Sequence, residues 1–85
     1  MNVRQVIESY IVDNILFGDG ETLKEDVSFH KSGILDSTGF LELITFAEER
    51  FGIQIADHEV IPENFDTLMK VSGFVEHKIS ARTAV

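Results

Sequence analysis

Apolar positions return every three or four residues in three stretches of the chain, and that spacing predicts three amphipathic helices. In the first, Val3, Val6, Ile7, Tyr10, Ile11 and Ile15 share one face. Asn2 can cap its start, so a helix is expected over 2–17, stopped by the Gly18-Asp19-Gly20 turn. In the second, expected over 37–51, Phe40, Ile44, Ala47 and Phe51 form a stripe joined by Leu41 and Leu43, with Gly52 as its stop. The third, expected over 66–79, repeats Leu68, Val71, Val75 and Ile79 with Phe74 beside them, and Asp66 or Thr67 can cap it. A short helical turn is expected at 57–61, with Pro62 in the link that follows. Alternation in Phe51-Gly-Ile-Gln-Ile is too brief and too isolated for a sheet. The connection over 18–36 exceeds the usual 2–8 residues between helices. It carries Leu23, Val27, Phe29, Ile34 and Leu35, so it is expected to be ordered and pinned across the core. The pattern predicts an all-α chain, a single domain over 1–85 built as a small three-to-four-helix bundle with a long ordered first loop.

Composition narrows the function classes. With 85 residues the chain suffices for one domain. At 44% hydrophobic residues it is too apolar for disorder. A formal charge of -8 argues against binding nucleic acid and favours a monomer. The acidity is concentrated in the middle: residues 52–66 hold Asp57, Glu59, Glu63 and Asp66 and no Lys or Arg, whereas 67–85 is the basic end. The absence of cysteine excludes disulfides, Cys-based zinc sites and thiol nucleophiles from the chain's own side chains. No apolar run is long enough for membrane insertion or a secretory signal, which predicts a soluble, cytoplasmic protein. So small a domain has little room for a deep, water-excluding active site. A binding or carrier module is expected before an enzyme.

Most candidate chemistry fails on spacing. An EF-hand over Asp13 to Lys24 has Gly18 in place but puts Ile15 and Phe17 where oxygen ligands belong. His30, His58 and His77 are scattered, which makes no metal site. A nucleophile elbow at Ser37 lacks its first glycine and its preceding strand. Ser37 nevertheless stands where the long loop meets the second helix, after Asp36. Either residue can cap the helix. The free N–H groups and the positive end of the macrodipole there also favour an anion, so a phosphodiester on Ser37 would be well placed. Thr38, Glu42, Thr45 and Glu49 share the helix face opposite the apolar stripe, and Glu48 adds to its acidity.

The run Ile34-Leu35-Asp36-Ser37, then Phe40-Leu41-Glu42-Leu43-Ile44 and Glu48-Glu49-Arg50-Phe51-Gly52-Ile53, resembles the acyl carrier proteins and their peptidyl-carrier relatives. The likeness extends to Phe29 in the loop, the acidic Asp57-to-Glu63 link and Glu63-Asn64-Phe65-Asp66-Thr67 before the last helix. It implies a non-catalytic, stand-alone carrier with 4′-phosphopantetheine attached to Ser37, Asp36 being the adjacent motif residue. Acyl or aminoacyl thioesters would ride on the arm's terminal thiol. The implied partners are a phosphopantetheinyl transferase (holo-carrier synthase) and acyl-loading ligases or synthases whose basic docking patches meet Thr38, Glu42, Thr45, Glu48 and Glu49. Thr38 departs from the leucine or methionine that commonly follows the carrier serine. Gly39 lowers helix propensity in the first turn by about 1 kcal/mol relative to Ala. Phe40, Phe46, Phe51, Phe65 and Phe74 are expected to be plain core, without deep sequestration of a long acyl chain. The alternatives are an unmodified acidic interaction module that keeps the same fold and a helical calcium-responsive adaptor.

Overall fold

The computed structural model describes residues 2–16, 23–24 and 26–83, and they form an all-α bundle. Its elements are α1 (Val3–Asn14), α2 (Phe29–Ser32), α3 (Ser37–Phe51), a 3₁₀ turn (Asp57–Glu59), α4 (Pro62–Phe65) and α5 (Leu68–Thr83). No strand occurs among the described residues. The expected Gly18–Gly20 stop and residue Phe17 lie outside them.

The caps follow from side-chain chemistry. Asn2 accepts a hydrogen bond from the Gln5 amide at 3.1 Å and opens α1. Asp36 accepts from the Gly39 amide at 2.7 Å and opens α3, while Gly52, at φ 65°, closes that helix in the left-handed conformation a glycine adopts without strain. At α5 the cap is Thr67, whose Oγ1 accepts from the Lys70 amide at 3.0 Å. Asp66 is turned to another task, described below.

Helix α5 is the hub: α1, α3 and α4 all pack on it. Val3, Ile7 and Ile11 from α1 meet Leu43, Ala47 and Phe51 from α3 and Leu68, Val71 and Val75 from α5 in one buried cluster. The loop joins it through Leu23, Phe29 and Leu35, with Phe29 fully buried. Such a side chain contributes about 1.5–3 kcal/mol by leaving water, which helps to pin this part of the connection to the core.

Four details depart from the sequence pattern. First, the loop contains a helical turn, α2, capped by Ser28 and closed by Gly33 at φ 77°. Second, Pro62 does not lie in an open link but starts α4, where its missing N–H costs nothing because the first helical amides are unbonded anyway. Third, the turn expected at 57–61 is a tighter 3₁₀ turn over Asp57–Glu59. Fourth, Leu41 does not join the buried stripe and remains 65% exposed. It stands about 100° round the helix from Phe40, at the margin of the core-facing arc.

Candidate functional site

Ser37 is the first residue of the 15-residue helix α3, and it is exposed. Asp36 caps the helix immediately before it. Beside Ser37 opens a groove of about 470 Å³. One wall is α3, through Phe40, Leu41 and Ile44; the other is Val60 and Ile61, between the 3₁₀ turn and α4, with Phe65 of α4. Val60 and Ile61 are 37% and 41% exposed, so the lining is apolar and open to water. His30 and Asp66 stand at its polar margin.

Two polar clamps hold the segments around this groove. In the first, Asp66 ties the loop to the start of α5. Its Oδ2 accepts from the Ser28 hydroxyl at 2.6 Å and its Oδ1 from the His30 amide at 3.1 Å, while its carbonyl accepts from the Phe29 amide at 2.7 Å. The Ser28 hydroxyl, followed by the His30 amide and the nearby positive charge of Lys70, holds the Asp66 carboxyl below the usual carboxylate range. In the second clamp, Glu59 accepts from the Ala56 amide at 2.9 Å and from Lys78 of α5 at 2.9 Å. The Ala56 amide and then Lys78 lower the Glu59 pKa. Asn64 Nδ2 donates to the Glu59 carbonyl at 2.8 Å, and Phe65 packs on Phe74 with ring centroids 5.0 Å apart. The far wall is therefore fastened to α5, and the loop that leads into α3 is fastened to the start of α5.

The opposite face of α3 is different. Thr38, Glu42, Thr45 and Glu49 are all exposed there, within an arc of about 60°. Glu42, Thr45 and Glu49 border a shallow depression floored by Phe46 and Tyr10, whose rings stack at 4.1 Å. Burial, and then the Glu42 charge, raise the Tyr10 pKa. Glu48 does not belong to this face. It is half-buried, and its Oε2 accepts from the Ile55 amide at 2.9 Å, holding the segment that leaves α3.

The aromatic residues divide as well. Phe51 and Phe65 are buried, but Phe40, Phe46 and Phe74 are only half-buried. Phe40 and Phe65 are groove wall as much as core. The sequence reading missed the far wall entirely. Its signal was the apolar pair Val60-Ile61 beside Pro62 in an otherwise acidic link. Among the described residues no cluster of His, Asp and Glu could hold a metal ion, and no helix is long and apolar enough to cross a membrane.

No family model matches the chain. Individual proteins do. The acyl carrier protein of Thermosynechococcus vestitus is 34% identical over 83 residues, covering 95% of this chain and 100% of that protein. The D-alanyl carrier protein of Abiotrophia defectiva is 35% identical over 65 residues, 74% of this chain and 82% of that one. The chain belongs to the acyl carrier protein family. The D-alanyl carrier protein of Streptococcus suis is similar too, 35% identical over 89% of this chain and 95% of its own. Among solved structures, a chain from one titled "Crystal structure of FAD-dependent dehydrogenase" superposes with a TM-score of 0.73 at 25% identity, over 81% of this carrier and 97% of that chain. The protein is thus a carrier and not an enzyme. Carriers of this family work in general through a phosphopantetheine group, loaded by a phosphopantetheinyl transferase and charged by loading enzymes.

Proposed function

We propose that Ser37 carries 4′-phosphopantetheine and that the carrier presents acyl or aminoacyl thioesters on that arm to biosynthetic enzymes. The observation that carries this reading is the placement of an exposed hydroxyl at the first turn of α3, directly beside the apolar groove. The residues fit the group. Free N–H groups of the first turn and the positive helix end suit a phosphodiester. Phe40, Leu41, Val60 and Ile61 offer an apolar surface next to it. The bound group supplies a thiol, which this cysteine-free chain lacks. The chain's own residues hold and expose it. Among the described residues no hydrogen bond joins the Ser37 hydroxyl to a His, Asp or Glu side chain, so a loading enzyme would bring the base that takes the hydroxyl proton.

Glu42 and Glu49, with Thr38 and Thr45, are proposed as the face that meets basic patches on the partner enzymes. Glu48, whose carboxylate is engaged with the Ile55 amide, is left out of that proposed face. Incubation with a promiscuous phosphopantetheinyl transferase and coenzyme A should raise the intact mass by one phosphopantetheinyl group, and Ser37→Ala should abolish the gain. A wild-type chain that stays bare would instead support the unmodified interaction module.

A further inference from the structure

The first turn of α3 contains a close approach that local helix propensity does not explain. Gly39 is helical, and glycine is unfavourable there. A Cβ built on Gly39 would lie 3.1 Å from Leu35 Cδ2 and 3.3 Å from Asp36 Oδ1, both tighter than ordinary contacts. The two neighbours have little freedom to retreat together. Leu35 is 2% exposed, and its amide donates to the Phe29 carbonyl at 3.3 Å, so its side chain is plugged into the core. Asp36 is held by its cap bond to the Gly39 amide at 2.7 Å. Ser37 lies between these residues in the chain, joined directly to Asp36. A side chain at 39 must either lift the Leu35 plug or lengthen the cap.

We propose that Gly39 is a positioning residue for the loading of Ser37: its missing side chain lets the Leu35 plug and the Asp36 cap coexist, and together they fix the Ser37 hydroxyl for transfer. The inference rests on the assignment of Ser37 as the attachment site. In that transfer the Ser37 oxygen bonds to the pantetheine-bearing phosphorus of coenzyme A. The bond from that phosphorus to the bridging oxygen breaks, adenosine 3′,5′-bisphosphate leaves, and the hydroxyl proton passes to a base on the transferase. A displacement of a few tenths of an ångström at the attacking oxygen matters for such a step and little for docking.

The test uses Gly39→Ala, Leu35→Val and the double variant of the full chain, at a temperature where all three are fully folded. Leu35→Val removes the Cδ2 atom that a Cβ at 39 would meet. In Gly39→Ala, kcat for loading by a phosphopantetheinyl transferase should fall roughly tenfold, with KM unchanged because the Glu42–Glu49 face is untouched. The double variant should recover to within about threefold of wild type, a coupling that simple destabilisation would not produce. Exchange protection of the residue-39 amide should drop in the single variant and return in the double. An unchanged kcat, a loss that Leu35→Val does not relieve, or an unchanged amide protection would each overturn the role of Gly39. A wild-type chain that is never loaded would remove the Ser37 assignment and this role with it, whereas unaltered amide protection defeats the Gly39 role alone.

Discussion

The two long flanks of α3 are one helix with two kinds of surface. On the groove side, Phe40 and Ile44 run from the surface into the core, and the facing wall of Val60, Ile61 and Phe65 is anchored to α5 by the Glu59–Lys78 pair and the Phe65–Phe74 contact. On the other side, Thr38, Glu42, Thr45 and Glu49 stand in water with no ion pair among the described residues. The groove is built from packing, so its shape and the stability of the fold depend on the same side chains. The acidic face is made of exposed side chains, so it can vary at little cost to the fold. The proposed attachment point and the proposed docking face thus rest on different physics, packing for one and charge for the other.

That comparison can be broken most directly at Phe65, which is 1% exposed. Phe65→Ala should cost about 3–5 kcal/mol in denaturant unfolding, because it opens a cavity under the groove wall. A loss below about 1 kcal/mol would mean that the wall is not part of the core. Next in size is the opposite flank. Glu42→Lys with Glu49→Lys should slow association with the loading transferase roughly tenfold at low salt and flatten its salt dependence, while shifting stability by no more than about 0.5 kcal/mol. Unchanged kinetics at low salt would dismiss this face as the docking surface.

A third substitution sharpens the groove side. Asp66→Asn should cost about 1 kcal/mol at neutral pH, since it weakens charged hydrogen bonds that are partly open to solvent. The sign with pH follows from the lowered Asp66 pKa. Its stabilisation is fully present above the carboxyl's unfolded value near 4 and is lost as pH falls through the lower folded value. The variant's acid unfolding curve should therefore be flatter than that of the wild type, and an identical acid limb would exclude the clamp. The smallest effect is expected at Ser72, a buried hydroxyl 4% exposed with no hydrogen-bond partner among the described residues. Ser72→Ala should be neutral or stabilising by up to about 1 kcal/mol, because no bond is lost and an unsatisfied group leaves the core. A clear destabilisation in thermal melting would reveal a partner for it.

Much of the fold was legible in the chain because it rests on local rules. The face of Val3, Ile7 and Ile11, the Asn2 cap and the Gly52 stop follow from periodicity and side-chain chemistry within a few residues. So does the start of α3 behind Asp36, which puts Ser37 at a helix terminus. Open choices and misreadings cluster where a residue had two available uses. Asp66 could have capped α5, but Thr67 does that and frees the Asp66 carboxylate for Ser28, 38 positions earlier in the chain. Glu48 looked like one more surface charge until the turn after α3 brought the Ile55 amide back to it. Leu41 fits a generous apolar stripe, yet only the arrangement of neighbouring helices decides where the buried arc ends.

The amino-acid sequence alone determined the three long helices, the acidic middle and the serine at a helix start, since each depends on residues close together in the chain. Tertiary structure decided that Val60, Ile61 and Phe65 face α3 across a groove, and that Leu35 and Asp36 both crowd Gly39. The physical reason is that a groove and a close contact are relations between surfaces. Periodicity tells which way a side chain points on its own helix, and packing alone tells what it meets there.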